Sequence, residues 1–561
     1  MKTIYILVIL PFLLLIYSCE DLLEENPKTT ISAENYYNNE TNIRNSTDAI
    51  YKVFNDGSSN SIYGRNWPIL DVGTDDVVGR TGQTNTTDWV QHTIVPDHKF
   101  FASWNQYQGW WKGVARANDV LKYITEIDFD DENSKNAIIG EARALRALSY
   151  LHLVKTWGDL PIITNSIETE LDFDLPRSPV DEIYDQVIIP DLVFAENNCV
   201  DDLHYGRVTK WTAKIILADV YLTRAGWRRT SAGEFVQGDA SNWELARDKA
   251  KEIIDNSPHY LITDEIKDGE HTTFACGVPW YESSPYSAEA MFEIGSINEA
   301  NFGNWLSVGS NPNNGGLQFW GGNGVNTPLS DEGITKTIND MKFPGNPPGT
   351  GWYIPTPDLW DSYEEGDQRR DFNLMTRYTT SDGENYLCQP TFRKYVDINY
   401  YLGLPNTSNQ NTTNNTIIYR YADALLIYAE AANEAENNPS LLAYNAINEI
   451  RRRAFDVTDN SYDLTGLSKE DFRKAVWLER RHEFAAECKR KFDLIRTNRL
   501  VSETTDIKTE FTTEMGSARD YTNVQPGYGT IPFPDHEWLY PIPQLEMERN
   551  IKNGWVQNEG Y

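Results

Sequence analysis

The stretch Arg420-Tyr421-Ala422-Asp423-Ala424-Leu425-Leu426-Ile427-Tyr428-Ala429-Glu430-Ala431-Ala432 decides the architecture. Its helical period predicts a helix over 418–435, and a second helix is expected over 440–454. Ala422, Tyr428, Ala432, Ala443, Ala446 and Ile450 alternate small with large. Small residues at fixed places let two antiparallel helices approach closely. Working outward, period and caps predict further pairs at 104–127 with 134–157 and at 209–226 with 242–256. A fourth begins near Ser468 and continues through Phe492 to Arg496, opened by the capping box Ser468-Lys469-Glu470-Asp471. In the helix over 134–157, Ile138, Ala142, Leu145, Ser149 and His152 fall on one face, and Gly158 supplies the stop. A helix is also expected over 32–54, with Ile43, Ala49, Ile50 and Val53 inward.

Ala218, Tyr221, Ala225, Ala246, Ala250 and Pro258 follow the alternation of tetratricopeptide hairpins, although ordinary α-hairpins would read similarly. Stacked hairpins make a superhelical scaffold. Between the helices the composition changes. Residues 271–357 are rich in Gly, Asn, Pro and aromatics, 406–416 is an Asn/Thr loop, and 63–101 is irregular around Trp67 and Trp89. Long irregular segments inside an ordered chain tend to be functional. The expected fold is therefore mainly α: a tetratricopeptide-like helical-hairpin scaffold with an irregular, loop-rich ligand-binding lobe. The expected division is a leader (1–18), an acidic tether (19–31), an N-terminal scaffold (32–270) with ligand-facing loops near 63–101, an aromatic-rich lobe (271–416), and C-terminal helical pairs with a tail (417–561).

The 561 residues include 40% hydrophobic and 12% aromatic side chains, which excludes global disorder. The formal charge of −33 argues against nucleic-acid binding, which runs on clustered Lys and Arg. Met1-Lys2, a short apolar run over 4–16 and Ser18-Cys19 resemble a bacterial lipoprotein signal, with Cys19 lipidated. Cys199, Cys276, Cys388 and Cys488 are far apart and form no metal motif. Their pairing stays open, although Cys488 reads as a buried free thiol.

Catalytic motifs are scarce. There is no G-x-S-x-G elbow and no Walker A sequence. His482-Glu483 opens like a zincin motif, but Ala486 stands where the second His belongs. Glu479, Glu483 and Glu487 share a helix face among Arg480, Arg481, Lys489 and Arg490, which reads as i,i+4 ion pairing. Residues 128–133 could offer oxygens to a structural calcium ion, but they lack the EF-hand glycine and spacing and read as a solvated loop. No cofactor and no metal are expected. What rises above background is Trp and Tyr in Gly/Asn-rich loops. Aromatic faces stack on sugar rings, while amides and guanidinium groups bond the hydroxyls. The candidate glycan-binding residues are Arg65, Trp67, Trp89, Trp280, Tyr281, Trp305, Trp320, Asn323 and Asn326.

Several blocks resemble the SusD/RagB outer-membrane lipoproteins of Bacteroidetes. They are Cys19-Glu20-Asp21-Leu22-Leu23, Glu141-Ala142-Arg143-Ala144-Leu145-Arg146-Ala147, Trp157-Gly158-Asp159-Leu160-Pro161, Gly366-Asp367-Gln368-Arg369-Arg370, Arg420 to Ala431, Glu479-Arg480-Arg481, Tyr540-Pro541-Ile542-Pro543 and Gln557-Asn558-Glu559-Gly560-Tyr561. One departure is Glu487-Cys488-Lys489-Arg490, where many members carry Glu-Gly-x-Arg. The resemblance implies a surface-exposed, lipid-anchored outer-membrane protein that captures oligo- or polysaccharide without cleaving it. It also implies delivery to a SusC-like TonB-dependent transporter. The acidic balance favours neutral glycans. Binding of a peptide or other non-glycan nutrient, and glycoside hydrolysis, are the rival readings.

Overall fold

The computed structural model describes residues 36–561 apart from 55–61, 64–66, 80–83, 103–105, 168–173, 204–205, 269–270, 274, 281–285, 296–326, 329–341, 344–352, 381–384, 393, 395–414, 437 and 509–526. The expected leader and tether therefore lie outside the described residues. The framework is helical: α1 (Glu40–Phe54), α2 (Gln106–Tyr123), α3 (Glu132–Trp157), α4 (Ile189–Asn198), α5 (Lys210–Ala225), α6 (Ser241–Asn256), α7 (Tyr421–Ala435), α8 (Leu441–Ala454), α9 (Lys469–Glu483) and α10 (Arg490–Arg496).

Each helix from α1 to α8 packs on the next in chain order, and α9 returns onto α7. Such nearest-neighbour stacking is the geometry of helical-hairpin repeats. Alanine makes it close: Ala218, Ala246, Ala250, Ala422, Ala429 and Ala432 are all fully buried between α5, α6 and α7. Side-chain and glycine caps close the helix ends, at Gly158 and Ser468 as the sequence predicts and at Asp131 ahead of the expected start. The Asp131 side chain accepts from the Asn133 N–H, Gly158 stops α3 at φ 77°, and Ser468 Oγ accepts from the Asp471 N–H. Residues 128–133 thus serve as a helix lead-in.

Three boundaries differ from expectation. Residues 416–420 form a strand, β6 (Thr416–Arg420), paired antiparallel with β2 (Ala290–Ile294), because Thr416, Ile417 and Ile418 are β-branched. The expected helix over 468–496 breaks after Glu483. Ala486 (φ 64°) and Cys488 (φ 58°) adopt left-handed backbone, and α10 begins at Arg490. The position where many SusD/RagB members have Gly is thus one whose conformation suits Gly. A helical segment over 180–198 was not anticipated. Its middle is a π-turn, Tyr184–Ile188, just ahead of Pro190, which cannot donate an N–H.

Helices α6 and α7 pack directly across the proposed lobe, β2 pairs with β6, and β1 (Val77–Gly79) pairs with β3 (Tyr353–Pro355). One core cluster runs from Ile43 to Trp555. The segment between α6 and α7 is an insertion carried by the stack, closed at its base by short ladders. A longer antiparallel pair, β4 (Leu374–Thr380) with β5 (Asn385–Phe392), belongs to the same insertion.

Candidate functional site

The expected stacking tryptophans divide sharply. Trp67 sits against Tyr63, Trp110 and His152, with ring centroids 4.9, 6.2 and 5.0 Å away. Trp89 is fully buried and donates its indole N–H to the Tyr540 hydroxyl at 2.9 Å. Trp280 is 4% exposed, with Lys394 Nζ 5.1 Å from its ring centroid. These rings are covered by their own chain and present no face to a sugar. Their burial corrects the expectation for Trp67, Trp89 and Trp280 as stacking platforms. Their segments lack a period because the chain there wraps the core in short turns, Trp67–Asp71 being one. Arg65, Tyr281, Trp305, Trp320, Asn323 and Asn326 lie outside the described residues.

A network of buried ions holds the base of the insertion, and the sequence disguised it as surface pairing. Arg420, at the end of β6, reaches Glu289 at 2.9 Å, Glu483 at 2.5 Å and Glu487 at 2.8 Å. Lys394 Nζ, two residues past β5, lies 2.8 Å from Glu487. Arg453 of α8 meets Glu289 at 2.8 Å and also pairs with Glu483. Arg369 joins Asp367 at 2.7 Å to Glu479 at 2.6 Å. The left-handed turn at 486–488 aims Glu487 inward. Burial alone would raise its carboxyl, but Arg420 and Lys394 outweigh it and hold the group at about 2. A signal was available at Arg420, an ionic residue that directly follows the β-branched, apolar run Thr416-Ile417-Ile418-Tyr419.

A second ionic layer joins β1 to the C-terminal helices. Arg490 binds Asp75 at 2.5 Å, and Arg481 binds Asp76 at 2.5 Å. Nearby, burial holds His152 neutral, its proton affinity pushed down to about 3, as it stacks on Trp110 at 4.3 Å. His152 and Trp67 border a cavity of ≈ 50 Å³, room for only a few waters. A roomier groove of ≈ 210 Å³ opens between residues 96–108 and 543–548. Among the described residues no cluster of His, Cys, Asp and Glu could hold a metal ion. Cys199, Cys276 and Cys488 are free buried thiols, and burial pushes the Cys488 thiol well up. Cys388 has no described side chain.

Residues 318–561 match the SusD family, and residues 21–222 match a second family described as starch-binding associating with outer membrane. The chain belongs to the SusD/RagB family. Among curated relatives of this SusD-family chain, SusD-like protein P25 of Formosa agariphila is 27% identical over 565 residues, spanning 97% of each chain. The SusD homolog of Bacteroides thetaiotaomicron shares the fold at TM-score 0.71 and 22% identity, covering 94% of this chain and 98% of that one. Surface glycan-binding protein A from the same organism, in complex with laminarihexaose, aligns at TM-score 0.64 and 20% identity over 93% and 99%.

Proposed function

We propose that this protein binds oligo- or polysaccharide at the cell surface, without cleaving it, and passes it to a SusC-like TonB-dependent outer-membrane transporter. The carrying observation is the family match over both ends of the chain, on a helical stack that carries an aromatic-rich insertion. The solved relative in complex with laminarihexaose adds a precedent for oligosaccharide on this fold. Cys19 is the lipid-bearing residue that keeps the protein at the outer membrane. With Trp67, Trp89 and Trp280 in the core, stacking falls to Tyr281, Trp305 and Trp320, with Arg65, Asn323 and Asn326 bonding hydroxyls. The net charge of −33 favours neutral over sulfated or uronate-rich glycans.

Native-gel retardation of the chain beginning after Cys19 tests this against neutral and acidic polysaccharides. Retardation by a neutral polymer, with no reducing sugar released on incubation, is expected. Release of reducing sugar would make the protein a hydrolase. Retardation by none of them, with capture of a peptide, would favour the rival reading.

A further inference from the structure

The groove between Pro96, Asp97 and Gln108 on one side and residues 543–548 on the other lies on the helical framework. Its two walls are stitched by the Gln544 N–H donating to the Pro96 carbonyl at 3.0 Å. The floor is closed by Phe101 and Tyr107, which are 1% and 3% exposed. Tyr107 pairs with Trp157 in a T-shaped contact at 5.1 Å, and Phe101 lies 5.6 Å from Tyr540. The apolar contact available to a ligand comes from Leu545, 49% exposed, and from half-buried Pro96.

The rim is polar and one-signed. Asp97, Glu546 and Glu548 supply carboxylates, Gln108 and Gln544 supply amides, and among the described residues no Lys or Arg lines the groove. Arg549 pairs with Glu546 at 3.1 Å from outside the lining. Carboxylates accept from hydroxyls, and amides both donate and accept, so the rim matches a polyol and repels an anion. The volume of ≈ 210 Å³ holds roughly fifteen water centres, comparable with the about twelve heavy atoms of one hexose. It is smaller than the pockets of about 300 Å³ and upward that enclose drug-sized ligands.

We propose that this groove is a subsite for one neutral sugar unit. It rests on the glycan-binding reading and extends it by naming a place on the helical framework for one sugar unit. Binding at the groove alone is weak, because exposed hydrogen bonds contribute little net free energy.

The test is calorimetric titration of the full lipid-free chain with laminarihexaose, maltohexaose, cellohexaose, xylohexaose and mannohexaose, and with hexagalacturonate as the acidic probe. Asp97→Ala/Gln108→Ala removes two exposed rim groups, and its thermal midpoint checks the fold. The expected result is a neutral hexasaccharide that binds wild type and binds the double variant about tenfold more weakly, at an unchanged midpoint. Equal binding by both proteins would overturn the subsite while leaving the glycan reading intact. Preferential binding of hexagalacturonate that the variant weakens would overturn the neutral class. Binding of none of these probes to wild type would remove the glycan reading and the subsite with it.

Discussion

The α5–α6–α7 stack and the base of the insertion solve the same packing problem with opposite chemistry. In the stack, buried alanines bring helices together through dispersion and apolar burial. At the base, Arg420, Arg453, Lys394, Glu289, Glu483 and Glu487 are buried charges, each paired. Alanine contacts tolerate small shifts. Ion pairs with defined partners do not, since a charge moved off its partner stays buried and unpaired. We read the ionic base as what fixes where β6, β2 and Lys394 launch the insertion.

The sharpest way to break this contrast is Arg420→Met. It leaves Glu289, Glu483 and Glu487 short of a cation and should cost about 3–5 kcal/mol in urea denaturation. Ala246→Val in the stack should cost about 1–3 kcal/mol by overpacking. If the Ala246 variant cost as much as the Arg420 variant, the two regions would not differ as described. Glu487→Gln adds a pH axis. Glu487 is depressed from 4.5 to about 2 in the folded chain. Its contribution is therefore fully present above about pH 4.5 and lost as pH falls through about 2. The stability gap between wild type and Glu487→Gln should shrink over that window, and a gap constant from pH 7 to 2 would contradict it. The smallest effect belongs to the exposed pair Lys251–Asp255 on α6, 2.6 Å apart. Asp255→Ala should change stability by less than about 0.5 kcal/mol.

Much of the framework was legible because helical period and caps are local signals. α3, α6 and α8 fall within one or two residues of expectation, and Gly158 stops α3 as predicted. The break at 484–489 was not legible, because Glu487 turns inward for partners on β6 and next to β5 that are distant in sequence. Trp67 and Trp89 misled for a related reason. Burial in irregular chain leaves no period, so a core Trp in a turn looks like a loop Trp awaiting ligand. The charged face at 479–487 likewise read as surface pairing, since sequence shows which charges are near in chain and not which are dry.

We propose that glycan stacking falls to Trp305 and Trp320 of the insertion, while buried Trp67, Trp89 and Trp280 support the fold. The direct measurement is binding and thermal midpoint, side by side, for Trp67→Ala, Trp305→Ala and Trp320→Ala against a polysaccharide that retards wild type. The account predicts that Trp305→Ala or Trp320→Ala weakens binding by roughly 1–3 kcal/mol at an unchanged midpoint, by analogy with base–aromatic stacking. It predicts that Trp67→Ala destabilises the fold by about 3–5 kcal/mol. Full binding by both insertion variants, with binding lost in a Trp67→Ala protein of wild-type midpoint, would contradict it.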